Sequence, residues 1–284
     1  MRGDAQREQR EQREQSAHRR NLAWAWRGLA RVSVVATVLA TVLAWVTAGA
    51  GCRGPVDELD GAFYDGDGRR VHCGVNLDSS AGASLAAIDE ALDRAVSRGE
   101  IVELYAHKPG VTVPMTTLAH VLAGARARGL AFVTYADFAA GTEQYPGLAL
   151  SFDDSGVPTW TAARPLFQEH AARVTFFVTR YGVFSADYKA QLRQLADDGH
   201  DIAAHSVAHL RAPAYVEHNG LRAYLDEEAV PSITALRADG YDVTSYAYPF
   251  GARTGELDDA LLEHVTVVRS VAFTLQGAVS PCPH

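Results

Sequence analysis

The chain has 284 residues, enough for one large domain or two small ones, and its 48% hydrophobic and 21% charged content is that of a globular protein. The formal net charge of -8 is uneven: positions 1–51 hold eight Arg against four acidic residues, and everything after them is acidic. That balance argues against nucleic acid as substrate, which needs clustered Lys and Arg, and three cysteines are too few for a disulfide scaffold.

Positions 7–15 repeat Arg-Glu-Gln, a charged low-complexity run that reads as a solvated tail. Arg19, Arg20, Arg27 and Arg31 then precede the apolar stretch Val32 to Ala48, and the segment ends Ala48-Gly49-Ala50-Gly51-Cys52. A basic region, an apolar core and small residues before a break form a secretory signal. Cys52 directly after small residues resembles a bacterial lipobox, which implies lipidation at Cys52, although Gly49 stands where a Leu-like residue is usual. An uncleaved membrane-spanning helix is the alternative, since the apolar run approaches the ~20 residues that cross a bilayer. Either reading puts the remainder outside the cytoplasm and gives it a membrane as partner. Residues 1–51 are thus tail and signal, 52–70 a tether, and 71–284 the globular domain.

From Val71 short apolar runs alternate with helical ones. Ile101–Tyr105, Ala131–Tyr135, Leu148–Phe152 and Val174–Val178 are β-branched or aromatic and bounded by breakers, as buried strands are. Ser84–Arg98, Met115–Arg128, Trp160–His170 and Tyr188–Asp198 carry apolar residues at helical spacing, and Gly99, Gly129 and Gly199 follow three of them as C-caps do. Such alternation predicts an α/β fold with a parallel sheet or barrel, its chemistry at the C-terminal strand ends.

Three motifs fall at such ends. In Ser151-Phe-Asp153-Asp154, adjacent carboxylates allow one to bind a metal and the other to move protons. In His205-Ser-Val-Ala-His209, the i, i+4 spacing places both imidazoles on one helical face, within reach of one cation. Tyr246-Ala-Tyr248-Pro249-Phe250-Gly251 is an aromatic strand ending in a turn. Taken singly, each has an ordinary structural explanation as a cap, a surface pair or core packing. Together, in this order, they resemble the polysaccharide deacetylase family, the NodB homology domain. Ala172-Arg-Val-Thr-Phe-Phe-Val and Asp198-Gly-His-Asp-Ile-Ala-Ala-His strengthen the likeness.

The resemblance implies a metal-dependent hydrolase acting on N-acetyl groups of a polysaccharide. Asp154, His205 and His209 would hold a divalent ion, with zinc first and cobalt or nickel as alternatives. Asp153 would be the general base, the backbone N–H of Phe250 would polarise the substrate carbonyl, and Tyr248, Pro249 and Phe250 would meet the substrate. Many members carry an Arg two places before the Pro to orient the base. Here that place is Ala247, and Arg253 and Arg269 are the candidates to replace it.

The family's Leu-x-His strand, which supplies a general acid after the Pro-Phe-Gly turn, is missing before the chain stops at His284. A match stands earlier instead. Ile101-Val-Glu-Leu-Tyr-Ala-His107 is followed by a helix and by Gly129-Leu-Ala-Phe-Val-Thr, which looks like the family's closing segment. The expectation is an irregular (β/α) barrel of the polysaccharide deacetylase type, circularly permuted. Segment 71–140 is then the moved part and 147–284 the part with the metal motifs, with Asp137–Pro146 joining the old ends. His107 becomes the general acid and Asp78 the carboxylate that orients it, although no Trp stands beside Asp78 as is usual. Permutation would also bring Cys73 near Cys282, as a disulfide in an oxidising compartment or as two free thiols. The alternatives in function are a glycan-binding lipoprotein with a degenerate site, for which Ala247 speaks, and a hydrolase of the same fold acting on a non-sugar amide.

Overall fold

The alternating runs become strands and helices in the computed structural model, which describes residues 60–272 and Cys282. In chain order the strands are β1 (Phe63–Tyr64), β2 (Val71–Asn76), β3 (Ile101–Ala106), β4 (Ala131–Val133), β5 (Gly147–Asp154), β6 (Thr175–Val178), β7 (Asp201–Ala204), β8 (Ser245–Ala247) and β9 (Val267–Val271). Seven of them close a parallel barrel in the order β2, β3, β5, β6, β7, β8, β9 and back to β2. β2 and β3 thus fill the gap between β9 and β5. The two remaining strands complete the lower rim. β1 runs antiparallel to β3 at Ile101 and Val102, and β4 pairs with β5 at Gly147–Ala149, below the level where β6 takes over.

The helices cover the barrel because their apolar residues recur on one face. Leu85–Arg98 turns Ile88, Ala91, Leu92 and Ala95 inward; Ser84 caps its first turn by accepting from the Ala87 N–H at 3.1 Å, and Gly99 closes it at φ 68°. The stretch expected as one helix over 160–170 is two, Val157–Ala162 and Arg164–Glu169. Pro165 accounts for the break, since it donates no N–H and crowds the preceding turn.

Inside the barrel, below the C-terminal strand ends, lies a buried polar layer. His72 Nδ1 meets Glu103 Oε1 at 2.9 Å, and the Tyr135 hydroxyl donates to Glu103 Oε2 at 2.7 Å. Tyr135 opens the helix Tyr135–Ala140, which is fixed by a Thr134–Asp137 capping box, and its ring packs inside the barrel against Phe177, Ala203 and Ala247. This helix plugs the lower end and leaves the upper end for chemistry.

Cys73 on β2 is disulfide-bonded to Cys282, so the two thiols are not free. The bond ties the first barrel strand to the tail that follows the last. Among the described residues no helix is long and apolar enough to cross a membrane. The expected signal and the lipidation site Cys52 lie outside the described residues.

Candidate active site

Each chemical residue comes from the C-terminal end of a barrel strand. β5 ends in Asp153 and Asp154, β7 runs into His205, β3 into His107 and β8 into the Phe250 turn. The chain bends sharply here: Asp154, Arg180, Ser206, His209 and Phe250 all have positive φ, and the only other such non-glycine residue among those described is Ala171. Left-handed backbone at non-glycine residues costs energy and gathers where function fixes it.

His205 and His209 do not share a helical face. The segment after β7 is a loop, with Ser206 at φ 64° and His209 at φ 62°. The His209 N–H donates to Ser206 Oγ at 2.9 Å, and buried Glu228 accepts from the Ala208 N–H at 2.9 Å through its carboxylate. The loop achieves what the helix was expected to do. His209 Nε2 lies 3.2 Å and His205 Nε2 3.7 Å from Asp154 Oδ1, and the donor atoms of all three residues lie within 4.8 Å of one another.

This donor set fits a divalent cation. His205 Nδ1–H donates to the Ala247 carbonyl at 2.8 Å, which fixes the tautomer and leaves Nε2 as the free donor atom. Burial pushes the His205 pKa down to about 4, so the ring is neutral, the form that ligates. Burial alone would raise the Asp154 carboxyl, but the hydrogen bond from His209 and the neighbouring His107 and His205 hold it well below the usual carboxylate range.

On one side of this cluster is Asp153, almost wholly buried, whose Oδ1 accepts from Arg269 Nη2. The guanidinium is fully buried between the rings of Tyr105 and Phe177, each centroid 4.9 Å away. Burial opposes its charge, yet Asp153 raises its pKa above the ordinary Arg value. Arg269 is the direct cross-strand partner of Ala247. The cation expected on β8 is thus supplied one strand over, at the same height in the barrel.

On the other side His107 Nδ1 meets Asp78 Oδ2 at 2.5 Å. Asp78 Oδ1 also accepts from the Thr112 hydroxyl at 2.7 Å, and Asn76 Oδ1 accepts from the Asp78 N–H at 2.8 Å. Burial works against a charged imidazole, but Asp78, reinforced by Asp153 and Asp154, pushes the His107 pKa up to about 9. A Trp is present after all, though distant in the chain: Trp160 Nε1 donates to the His107 carbonyl at 2.7 Å.

Asp78, His107, Asp153, Asp154, His205, His209 and Phe250 surround one cleft of about 470 Å³. The sequence of residues 140–266 matches the polysaccharide deacetylase family. The match covers 127 of the 284 residues. Among solved structures, the chain is similar in fold to IcaB from Ammonifex degensii, with 20% identity over 64% of this chain and 88% of that one, at a TM-score of 0.51. Weaker likenesses are the BpsB deacetylase domain from Bordetella bronchiseptica (17% identity, 77% and 98% of the two chains, TM-score 0.46) and the Streptococcus pyogenes deacetylase PplD in complex with acetate (20%, 55% and 76%, 0.45). No curated protein matches the chain significantly.

Not every residue singled out in the sequence reaches this cleft. Phe250 does: it is 53% exposed, at φ 60°, with its ring 4.7 Å from that of His209. Tyr248 and Pro249 are buried and do not line it. Side chains alternate along a strand, so Tyr246 and Tyr248 point away from the barrel interior that Ala247 faces, and the Tyr246 hydroxyl meets that of Tyr224 at 2.8 Å. They shape the turn rather than touch a ligand. Gly251 completes it at φ +63°, where a Cβ would stand 2.4 Å from Val271 Cγ2. Arg253, the other candidate partner for the base, pairs with Asp258 instead. The sequence pointed to no role at the site for Glu228, Trp160 or Thr112.

Proposed function

We propose that the protein is an exported, membrane-anchored, metal-dependent hydrolase that removes N-acetyl groups from a cell-surface or extracellular polysaccharide. One observation carries this reading. A cluster of two imidazoles and a carboxylate, suited to a divalent ion, lies in one cleft with an Arg-paired carboxylate and an Asp-paired imidazole. That is the complement for splitting an amide: a base for water, an acid for the departing nitrogen and a cation between.

Asp154, His205 and His209 would hold the ion, with zinc favoured by the mixed nitrogen and oxygen donors and room left for other ligands. When bound, such an ion supplies Lewis acidity, lowering the pKa of water and polarising an acetyl carbonyl. Asp153 takes the proton of the attacking water, and Arg269 keeps that carboxylate ionised and aimed. The Phe250 N–H donates to the oxygen that becomes negative as the carbonyl carbon turns tetrahedral. His107, protonated through its contact with Asp78, gives its proton to the amide nitrogen as the C–N bond breaks, releasing acetate and a free amine.

The same reading assigns residues 71–140 as the displaced closing segment of the domain. The start of the family match at residue 140, inside the Asp137–Pro146 junction, supports that division. Export and a lipid anchor at Cys52 rest on the basic and apolar pattern before it. The disulfide fits an oxidising compartment. The degenerate glycan-binding alternative rested on Ala247, and the pairing of Arg269 with Asp153 speaks against it.

The test is a pair of variants. Asp153→Asn is expected to lower acetate release from N-acetylated oligosaccharides by about 10²–10⁴-fold while zinc affinity, read by calorimetry, stays within a few fold. His205→Ala should lose both. Unchanged turnover in Asp153→Asn removes that residue as base.

A further inference from the structure

From the placement of unpaired cations we infer that the glycan is acidic, with anionic groups on sugars flanking the one that is deacetylated. This inference rests on the deacetylase reading for its chain substrate, but not for its charge. Among the described residues every Lys and Arg holds a carboxylate or backbone carbonyl oxygen, except Lys108, Arg180 and Arg211. All three border the catalytic end of the barrel. Lys108 and Arg211 line the cleft that contains Asp154 and His209. Arg180 lines an adjoining hollow of about 330 Å³ that begins at Ser155, the residue after Asp154. The two are joined through backbone, since the Thr179 N–H donates to the Asp154 carbonyl at 2.9 Å.

Chance placement is a poor explanation for this pattern. The sequence carries a net charge of -8, with its basic excess confined to positions 1–51, so the domain as a whole repels polyanions. Elsewhere on the domain, cations are spent on carboxylates and helix ends. Only here are they left for an outside partner. Arg180 is held at φ 59°, a backbone conformation it shares with the other residues of this face. Arg211 lies 5.3 Å over the exposed Phe250 ring, and Arg180 stands beside Tyr188 and Val183, both exposed. Arg211 and Arg180 each therefore stand beside a flat or apolar surface for a sugar ring and offer a cation for its anionic substituent. Lys108 follows β3 and packs beside Gly156, Arg180 follows β6 and Arg211 follows β7, so the cations stand around the metal cluster on three different strand ends, and the anions would sit on sugars neighbouring the uncharged N-acetyl group. Carboxylate and phosphate would both satisfy these side chains.

The test is binding to the full chain, read by titration calorimetry, for three probes. They are an N-acetylglucosamine hexamer, a hexasaccharide alternating N-acetylglucosamine with glucuronic acid, and an N-acetylglucosamine oligomer joined by phosphodiesters. At low salt an acidic probe should bind about tenfold more tightly than the neutral one, from surface ion pairs that are each individually weak. The gap should close as salt shortens the Debye length to about 3 Å near 1 M. The tighter acidic probe tells carboxylate from phosphate. Changing Lys108, Arg180 and Arg211 together to Gln should erase the preference, whereas Arg98, Arg126 and Arg222 changed to Gln, an equal loss of charge elsewhere, should keep it. Equal affinity for neutral and acidic probes overturns the inference, as does a preference that survives the first triple variant. Acetate release measured on the same probes separates the two claims. Anion preference with no acetate from any probe overturns the deacetylase reading alone, and acetate release with no anion preference overturns the acidic substrate alone.

Discussion

Arg269→Ala tests the arrangement around the base. Arg269 is fully buried and its charge is matched by Asp153, itself almost without exposure. Removing one member of a buried pair leaves the other uncompensated and costs about 3–5 kcal/mol. For a domain of this size that is roughly a 10 °C fall in melting temperature. Turnover should drop by about 10²-fold or more as the base loses its partner. The cross-strand register between Ala247 and Arg269 then offers a rescue. Because direct partners in a parallel ladder point to the same face, Ala247→Arg with Arg269→Ala returns the cation to the barrel interior at the same height and conserves total volume. The double variant should recover at least half of the lost melting temperature and a measurable part of the rate. Differential scanning calorimetry and acetate release on wild type, single and double variants provide the readouts. A single variant as active as wild type, or a double variant no better than the single, would refute the pairing argument.

Three further outcomes follow from the same geometry. His107 has its pKa raised to about 9, so the stability of its contact with Asp78 is complete below the ordinary His value of about 6.5 and is lost as pH rises through about 9. Asp78→Asn should bring the His107 titration, followed by NMR of the metal-free protein, back down toward that ordinary value; an unmoved titration denies the pairing. Replacing both Cys73 and Cys282 by Ser opens a loop of 209 residues and should cost about 4–5 kcal/mol in the chain-entropy picture, seen as a lower urea midpoint with the barrel still folded. Gly251→Ala should depress turnover more than it depresses zinc affinity, because its Cβ would meet Val271 and move the Phe250 turn; equal turnover shows that the turn can shift freely.

Much of this site was legible because its residues directly follow β-branched or aromatic runs, and such runs end at one face of a parallel barrel. Asp153, Asp154, His205 and His107 were found in that way, and the early position of His107 pointed to β2 and β3 closing the barrel from the front of the chain. What the linear order hides is lateral neighbourhood. Ala247 looks like a loss until β8 and β9 are set side by side, when Arg269 proves to stand opposite it. The loop at His205–His209 imitates a helical spacing, since i, i+4 residues can also meet through two left-handed residues, and those conformations leave no mark on Ser206 or His209 in the sequence. The family resemblance implied a substrate contact for Tyr248, yet the period-two alternation already puts it on the face opposite Ala247. Trp160 and Glu228 act at a distance along the chain through backbone groups: Trp160 donates to the His107 carbonyl, and Glu228 accepts from the Ala208 N–H with its carboxylate and from the Val207 N–H with its carbonyl. The polar layer of His72, Glu103 and Tyr135 could not be read from patterning, because isolated polar residues in apolar strands look like surface positions until a barrel encloses them.

The most direct measurement is acetate release by the purified, metal-stripped protein from N-acetylglucosamine oligomers, peptidoglycan and acetylated xylan, before and after zinc or cobalt is added back. Release from an N-acetylated substrate that appears only with metal, and disappears in Asp153→Asn, is the predicted result. No release from any of them by a folded protein shown to bind zinc would contradict it.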